Sequence, residues 1–355
     1  MMQRKIIDPG IYVAGAGAIG LTLTARLMIG GFRVRLVARE ESVRFIRQNG
    51  LQLIDLEGHH HLHPEVDLAS GFSAADILFL CSKSQDLPQL SLSVRHLITS
   101  DTLVVPVING LPWWYFDGEN GVWNGNQIRS VDPDNILKTT IPSRQIIGTT
   151  TVMTVERVDR GTAKTFNPLQ MTLGELNDRP SPRLGELVAI LENAGIAVHV
   201  APRIRDAVWT KIVRNLISNP LTAITGATLR ENFCNPFLAD VSRQMLVEIL
   251  PLIEAYGARL DVSPESILEL GKTMGNVKTS MLQDLEQGHQ LELAAICDAV
   301  IELARARSIA MPVTEAIGKI AHFKSARQHV SDIHNPKLTE PRSIDCLGTV
   351  NLIGV

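Results

Sequence analysis

The chain has 355 residues, of which 45% are hydrophobic and 20% charged, so its length suits about two domains with ordinary cores. Its formal net charge of -3 offers neither a basic surface for nucleic acid nor a polybasic segment for a membrane. Residues 1–10 lack the apolar core of a secretory signal, and no apolar run is long enough to span a bilayer. The four cysteines are scattered, as is typical of reduced thiols, so we expect a cytoplasmic protein without nucleic-acid or membrane partners.

A glycine-rich loop lies between the first predicted strand, 11–14, and the first predicted helix, 21–29. Its residues are Gly15, Ala16, Gly17, Ala18, Ile19 and Gly20. In this context the pattern G-x-G-x-x-G predicts a dinucleotide site. The first glycine would make the tight turn, the second would admit the pyrophosphate, and the third would let helix and strand pack closely. The alternative is a glycine-rich turn in an unrelated α/β domain.

The residue that follows the second predicted strand, 33–38, bears on the choice between NAD and NADP. A site for NAD usually has Asp or Glu there to bind the ribose 2′-hydroxyl. Arg39 stands at this position instead, and its guanidinium suits the 2′-phosphate of NADP. Glu40 and Glu41 follow at once and keep NAD as the alternative. We therefore predict NADPH/NADP+ as the cofactor.

Two buried-type strands, 76–81 and 102–108, are each followed by a polar residue, Lys83 and Asn109. Because ligands bind beyond the carboxyl ends of the strands in doubly wound sheets, both side chains are expected near the cofactor. Many loops carry such residues without a ligand, which is the alternative. These patterns predict an α/β fold class, with a Rossmann-type doubly wound sheet in an N-terminal domain over residues 1–201.

Two clusters in this half are interpreted as structural. Residues 50–66 include His59, His60, His61 and His63, which alternate between the two faces of a strand. Because no Cys or acidic residue falls at a useful spacing, we predict a surface hairpin and no metal site. The aromatic run 112–116 is interpreted as a packing plug beside the site.

After Pro202 the periodicity is helical, which predicts an all-α substrate or catalytic domain over 202–330, followed by a loose tail over 331–355. Within it, Lys211, Asn215 and Asn219 recur every four residues and would share one stripe of a helix. Pro220 should end or kink that helix just past Asn219. Buried amides and amines need partners, which favours a binding face over a solvated polar face.

A polar segment, residues 279–292, interrupts the helical pattern. Ser280 within it is either a helix N-cap or a ligand contact. Glu292 would open the next helix, where the helix dipole stabilises a carboxylate.

Taken together, these stretches resemble the ketopantoate reductase (2-dehydropantoate 2-reductase) family over roughly the first 325 residues. The matching pieces are the glycine loop, V-A-R at Arg39, Asn109-Gly110, W-T-K-x3-N-x3-N-P-L-T-A from Trp209, and S-M-L-Q-D followed by Glu292. The resemblance implies NADPH-dependent reduction of 2-dehydropantoate to pantoate, in pantothenate and coenzyme A biosynthesis.

The resemblance also implies roles for individual residues. Lys211 would be the general acid that protonates the alkoxide formed when a hydride reaches the C2 carbonyl. The implied substrate contacts are Asn109, Asn215, Asn219 and Ser280. The implied cofactor contacts, beside the glycine loop and Arg39, are Lys83, Asn109 and Glu292. Two partners are compatible with the resemblance: the 2-oxo acid substrate, and a second copy of the chain in a homodimer.

The chain departs from the family pattern near the expected substrate. Ala294 replaces a common aspartate, Cys297-Asp298 stands near where an Asn-Gly pair is usual, and Leu229 lies where some members have a substrate-binding Asn. These changes keep open a reductase of the same fold that acts on another 2-oxo acid or on an imine. A non-catalytic NADP(H)-binding sensor is the third alternative, against which Lys211 argues because a sensor needs no proton donor.

Overall fold

The computed structural model describes residues 9–119 and 121–333, with side chains described as far as residue 327. The strands are β1 Ile11–Ala14, β2 Val34–Val37, β3 Leu51–Asp55, β4 Gly58–Leu62, β5 Glu65–Asp67, β6 Ile77–Leu80, β7 Leu103–Pro106, β8 Ile147–Val152, β9 Val155–Arg157, β10 Thr162–Thr165, β11 Gln170–Glu175 and β12 Ala197–Val200. The α-helices are α1 Ala18–Ile29, α2 Glu40–Asn49, α3 Leu87–Val94, α4 Ile136–Thr140, α5 Pro182–Asn193, α6 Ile204–Leu216, α7 Asn219–Thr225, α8 Leu229–Cys234, α9 Pro236–Ala255, α10 Pro264–Thr273, α11 Ser280–Glu286, α12 Ala299–Ala306 and α13 Pro312–Ile333. A π-helical segment, Ala294–Asp298, leads directly into α12.

The main sheet of the first half is parallel and has the strand order β5-β2-β1-β6-β7. In chain order this is 3-2-1-4-5, the arrangement of a doubly wound dinucleotide-binding sheet. The predicted fold class is thereby confirmed. Because the strand order reverses between β1 and β6, a crevice opens beyond Ala14 and Leu80. The glycine loop follows β1 at this point, and Lys83 follows β6.

Two smaller sheets complete the first half, with the orders β4-β3-β10-β9 and β12-β11-β8. The predicted hairpin over residues 50–66 is present as β3 and β4, in which Leu51 pairs with Leu62. Its histidines bond to protein groups: His60 Nε2 lies 3.2 Å from Asp55 Oδ1, and His61 Nε2 lies 2.8 Å from the Asn49 carbonyl. The sequence analysis missed β10, which has four residues, and β11, which has six and alternates polar and apolar residues from Gln170 to Leu173.

In the described part of the chain every strand precedes residue 201 and only helices follow. The division into domains at residues 201 and 202 stays a prediction. The predicted tail lies outside the described residues, except that 331–333 continue α13. Among the described helices, none combines the length and hydropathy required to cross a membrane.

The aromatic run 112–116 is a buried packing cluster, as predicted, and it anchors the start of α6. Trp113, Trp114, Tyr115 and Phe116 are each 3% exposed or less. Arg205, which is 1% exposed, donates hydrogen bonds to the carbonyls of Tyr115, Leu176 and Asp117 and contacts Glu119 at 2.9 Å. Trp209 Nε1 donates to the Tyr115 hydroxyl at 2.6 Å. Since a buried guanidinium with unmet donors is costly, these bonds fix the position of α6 on the first half.

Candidate active site

The surroundings of the three glycines in the loop show what each of them allows. Gly15 has φ +113°, and a Cβ there would lie 2.1 Å from the Cys81 carbonyl oxygen. A Cβ on Gly20 would lie 1.8 Å from the Gly15 carbonyl oxygen. A Cβ on Gly17 would meet nothing within 4 Å. The first and third glycines therefore allow tight packing, while Gly17 faces open space at the beginning of α1.

The N-terminus of α1 is a suitable anion site. Gly17 is the N-cap and supplies no side-chain hydrogen bond to the first turn, which contains no acidic residue. The free N–H groups of a helix start and the helix dipole both attract a phosphate. With the open approach at Gly17, this donor set fits the pyrophosphate of a dinucleotide.

Arg39 follows β2 and is the N-cap residue of α2. Its side chain is 87% exposed, and its Nη2 lies 3.6 Å from Asp86 Oδ2, too far for a strong pair. The guanidinium is therefore available to a ligand beyond the carboxyl end of β2.

Glu292 joins the two halves of the molecule. The residue is 4% exposed and precedes the helical segment, but its carboxylate bonds across the cleft rather than to its own helix. Oε1 accepts from the backbone N–H of Ser84 at 2.9 Å, and Oε2 accepts from Asn109 Nδ2 at 3.4 Å. Lys83 Nζ lies 3.7 Å from Oε2. Glu292 opens the helical segment as expected, and its carboxylate is held by partners from the loops that follow β6 and β7.

Asp284 is a site residue that the sequence analysis left without a role. Its carboxylate accepts from Lys83 Nζ at 2.5 Å, and the residue is 8% exposed. Burial, the largest single influence, lowers the pKa of Lys83, but the combined attraction of Glu292 and Asp284 outweighs it and raises that pKa. Lys83 is therefore a persistent cation between two carboxylates. The signal was its place in S-M-L-Q-D, one helical turn after Ser280.

The turn after β7 docks on the π-helical segment that leads into α12. Gly110 has φ +80°, and a Cβ on it would lie 2.5 Å from the Ala295 Cβ. Leu111 N donates to the Ala295 carbonyl at 2.8 Å. The π-helical winding frees this carbonyl, and such bulges occur frequently at functional sites. This contact fixes Asn109 beside Glu292.

Lys211 lies on α6 at the edge of a narrow pocket between the two halves. Its Nζ donates to Thr151 Oγ1 at 3.0 Å. Burial disfavours the ammonium and lowers the pKa of Lys211 to about 8, against a smaller opposing effect of Glu292. The pocket is lined by Ile108, Gly110, Pro112, Thr149, Thr150, Val208, Lys211 and Ile212. An amine with such a pKa exchanges protons readily near neutral pH.

The predicted single helix through Asn219 is wrong. α6 ends at Leu216, and α7 begins at Asn219 with Pro220 in its first turn. Proline is well suited to a first turn, because the N–H it lacks is unpaired there anyway. At the break the Ile217 carbonyl accepts from Ser242 Oγ at 2.8 Å and from Asn232 Nδ2 at 3.4 Å. Only Lys211 and Asn215 therefore share a helix.

The remaining candidate side chains are placed as follows. Asn215 is partly buried; its backbone carbonyl accepts from Ser218 N at 3.3 Å, and its side-chain amide has no hydrogen-bond partner among the described residues. Asn219 is 5% exposed, and its Oδ1 accepts from Ser218 Oγ at 3.2 Å. Ser280 is exposed, and the N-cap of α11 is Thr279, which accepts from Leu282 N at 3.2 Å. Ser280 is therefore not the helix N-cap, and its role as a ligand contact stays a prediction.

A threonine pair brings the starts of α7 and α11 together. The hydroxyl oxygens of Thr222 and Thr279 lie 2.6 Å apart, and both residues are buried. Thr222 is three residues after Asn219, and Thr279 adjoins Ser280. The arrangement places two of the four candidate substrate contacts, Asn219 and Ser280, at one junction of the helical half.

Two of the departures from the family pattern have a structural explanation. Cys297 is fully buried in the core and approaches Gly318 of α13, and burial raises the pKa of its thiol. It is a packing residue. Leu229 is the first residue of α8. Asn232, one turn later, donates a hydrogen bond from Nδ2 to the Ile217 carbonyl. Ala294 is the first residue of the π-helical segment.

Comparisons with known proteins agree with this architecture. Residues 11–178 match the family described as ketopantoate reductase PanE/ApbA, and residues 203–325 match its C-terminal domain. A 2-dehydropantoate 2-reductase from Mesorhizobium japonicum is 32% identical over 310 residues, which cover 86% of this chain and 95% of the relative. One from Archaeoglobus fulgidus is 26% identical and covers 82% of this chain and 90% of its own.

Solved structures show the same fold. A Ralstonia solanacearum crystal structure superposes with a TM-score of 0.86 at 26% identity, covering 90% of this chain and 99% of that one. A D-mandelate dehydrogenase with NADH and anilino(oxo)acetate superposes with a TM-score of 0.78 at 20% identity, with the same coverage. At that identity the likeness concerns the fold alone. The resemblance inferred from the sequence is confirmed, and the chain belongs to the ketopantoate reductase family of oxidoreductases.

Proposed function

We propose that this chain is an NADPH-dependent reductase that converts 2-dehydropantoate to pantoate, a step of pantothenate and coenzyme A biosynthesis. The observation that carries the proposal is the Lys211 amine, which lies at a pocket between the halves with its pKa lowered to about 8. A proton donor with that pKa matches the task of protonating an alkoxide near neutral pH. The names of the relatives support the choice of substrate.

The cofactor would be held by the residues that line the crevice beyond the strands. The first turn of α1 would bind the pyrophosphate, and Arg39 would bind the 2′-phosphate. Lys83, Asn109 and Glu292 would hold the nicotinamide ribose end, since they are linked in one hydrogen-bonded network. When bound, the reduced nicotinamide supplies a hydride to the C2 carbonyl of the substrate.

Lys211 would then transfer a proton from Nζ to the oxygen that was the carbonyl. A positioned acid contributes about 10²–10⁴-fold to the rate. Before the transfer its positive charge stabilises the negative oxygen, which is an electrostatic contribution of the kind made by an oxyanion hole. Asn215, Asn219 and Ser280 would orient the carboxylate and hydroxyl groups of the substrate, and Asn109 would contact substrate and cofactor together.

The pH dependence of the reaction should follow Lys211. Because the reactive form is the ammonium, kcat/KM should be constant below a pH of about 8 and fall about tenfold per unit above it. Steady-state rates at saturating NADPH measure this profile. Thermal unfolding at each pH is the control for loss of structure. A profile that stays flat up to the ordinary pKa of lysine would contradict an acid whose pKa is lowered to about 8.

The NADPH preference should depend on Arg39. Replacing Arg39 with Ala is expected to raise the KM for NADPH by about tenfold or more, because a charge-assisted bond to phosphate contributes about 1.5–3 kcal/mol. The KM for NADH should change little, since NADH has no 2′-phosphate. Paired kinetics with both cofactors make the test. Equal increases for NADPH and NADH would contradict a phosphate contact.

A second candidate function is the reduction of another 2-oxo acid or of an imine. It is favoured by Ala294 and Leu229, and by the apolar side chains of Ile108, Pro112, Val208 and Ile212 around Lys211. Such a lining suits an apolar substituent on the substrate.

A substrate panel separates the candidates. Purified protein is assayed for NADPH and NADH oxidation with 2-dehydropantoate, other branched 2-oxo acids, an aromatic 2-oxo acid, and a 2-oxo acid together with an amine. Highest kcat/KM with NADPH and 2-dehydropantoate supports the proposal. Highest kcat/KM with another acid or with the imine mixture supports the second candidate. Tight NADPH binding without turnover on any substrate would instead indicate a sensor.

A further inference from the structure

The contact between α6 and β8 is set by two glycines that face each other in the small sheet. Gly148 of β8 pairs with Gly174 of β11. A Cβ on either glycine would lie 2.8 Å from a side-chain atom of Ile204, the first residue of α6. The missing side chains therefore leave a bare patch in which Ile204 sits. This contact sets where α6 begins along β8.

The helix and the strand advance by similar distances from that contact to Lys211. Lys211 is seven residues after Ile204, on the same face of the helix, and about 10 Å further along it. Thr151 is three residues after Gly148, about 10 Å along the strand, and this odd spacing places the two residues on opposite faces of β8. The two side chains meet at 3.0 Å. Docking at Gly148 sets the distance along the strand, and the contact itself is the observed hydrogen bond between Lys211 and Thr151.

Thr151 is well suited to hold a reactive amine. It is 8% exposed, it belongs to a strand, and its β-branched side chain has few rotamers. Its hydroxyl can accept a hydrogen bond from an ammonium and can equally donate one to a neutral amine. No other side chain of this size combines a hydrogen-bond donor and acceptor with so few rotamers.

We propose that Thr151 is a positioning residue for Lys211, holding the amine at the pocket before and after it loses its proton. This inference rests on the proposed function of Lys211 as the acid. When the proton leaves, an N–H bond of Lys211 breaks and an O–H bond forms on the substrate oxygen. The nitrogen lone pair then accepts from the Thr151 hydroxyl, which rotates to donate. No proton is lost from Thr151.

The charged groups around Lys211 determine how removal of the Thr151 hydroxyl changes the pKa of Lys211. Glu292 is the carboxylate whose field reaches Lys211, and Lys83 and Asp284 adjoin Glu292. These groups stay in place when only the hydroxyl is removed. A hydrogen bond to the charged amine is about twice as strong as one to the neutral amine, so losing it destabilises the ammonium more. The pKa of Lys211 should therefore fall in a variant without the hydroxyl.

The test compares Thr151→Val, which keeps the shape, with Thr151→Ser, which keeps the hydroxyl. Thr165→Val, at a buried threonine of β10 in another sheet, is the matched control. The first readout is the pH dependence of Lys211 acylation by a small anhydride in the ligand-free protein, followed by mass spectrometry. The second is kcat and KM with NADPH and the best substrate of the panel.

We expect Thr151→Val to move the acylation midpoint to lower pH and to lower kcat by about 10²-fold with little change in the KM for NADPH, since misplacement by about 1 Å has such an effect. Thr151→Ser should restore most of the rate, and Thr165→Val should resemble wild type. An unchanged midpoint and kcat in a folded Thr151→Val would overturn the inference. If wild type shows no turnover at all, the proposed function fails, while the acylation midpoint still decides whether Thr151 holds Lys211. If Thr151→Val does not fold, Thr151→Ala takes its place. An acylation midpoint and a kcat in Thr151→Ala equal to those of wild type would likewise overturn the inference.

Discussion

Replacing Lys211 with Ala is expected to lower kcat by about 10²–10⁴-fold, the range typical of a lost general acid. Lys211 is the one cation among the residues that line the pocket. The affinity for NADPH should hardly change, because the proposed cofactor contacts lie on other elements. Steady-state kinetics and a fluorescence titration with NADPH measure the two effects separately.

The stability of this variant should be close to that of wild type. Burial disfavours the Lys211 ammonium, as its lowered pKa shows, so its removal relieves that cost while opening a small cavity. Lys319→Ala, at a side chain that is 77% exposed on α13, is the matched control and should behave as wild type. Unchanged turnover in Lys211→Ala would remove this residue from the mechanism.

Replacing Gly110 with Ala is expected to disable the site by displacing the turn that carries Asn109. The residue has φ +80°, which costs a non-glycine residue about 1–2 kcal/mol, and the new Cβ would lie 2.5 Å from the Ala295 Cβ and 2.6 Å from the Ala295 oxygen. Because the turn must move away from the π-helical segment, Asn109 should lose its bond to Glu292. We expect kcat/KM to fall by about 10²-fold or more and the melting temperature to drop.

Gly31→Ala separates strain from collision. Gly31 has φ +86°, yet a Cβ there would meet nothing within 4 Å. This variant should lose stability through backbone strain alone and keep wild-type kinetics. If Gly110→Ala retained wild-type kcat/KM, the docking of the turn on the π-helical segment would have no part in catalysis.

The dinucleotide half was predictable because its signals are local. The run from β1 through the glycine loop to α1 is set by residues adjacent in sequence, and Gly15 and Gly20 allow the tight turn and the close packing expected of them. The doubly wound class of the sheet followed from the same pattern, since few arrangements suit strands that alternate with helices. The family resemblance used the same motifs.

The parts that the sequence did not predict depend on contacts between distant segments. The break before Asn219 is stabilised by Ser242 and Asn232, which satisfy the carbonyl that the break exposes. The pairing of Lys83 with Asp284 joins residues 201 positions apart. Periodicity reports which face of a helix is apolar, but it does not report which partner a polar group finds. For the same reason Thr151 was not singled out.

The central claim is that this chain delivers a hydride to the C2 carbonyl of a 2-oxo acid. The most direct test supplies NADPH deuterated at the transferred position, with 2-dehydropantoate, and determines by mass spectrometry and NMR where the deuterium appears. We expect one deuterium at C2 of pantoate, the hydroxyl hydrogen being derived from solvent through Lys211. Oxidation of the nicotinamide without deuterium at C2, or no product from any 2-oxo acid or imine while NADPH binds tightly, would contradict the account.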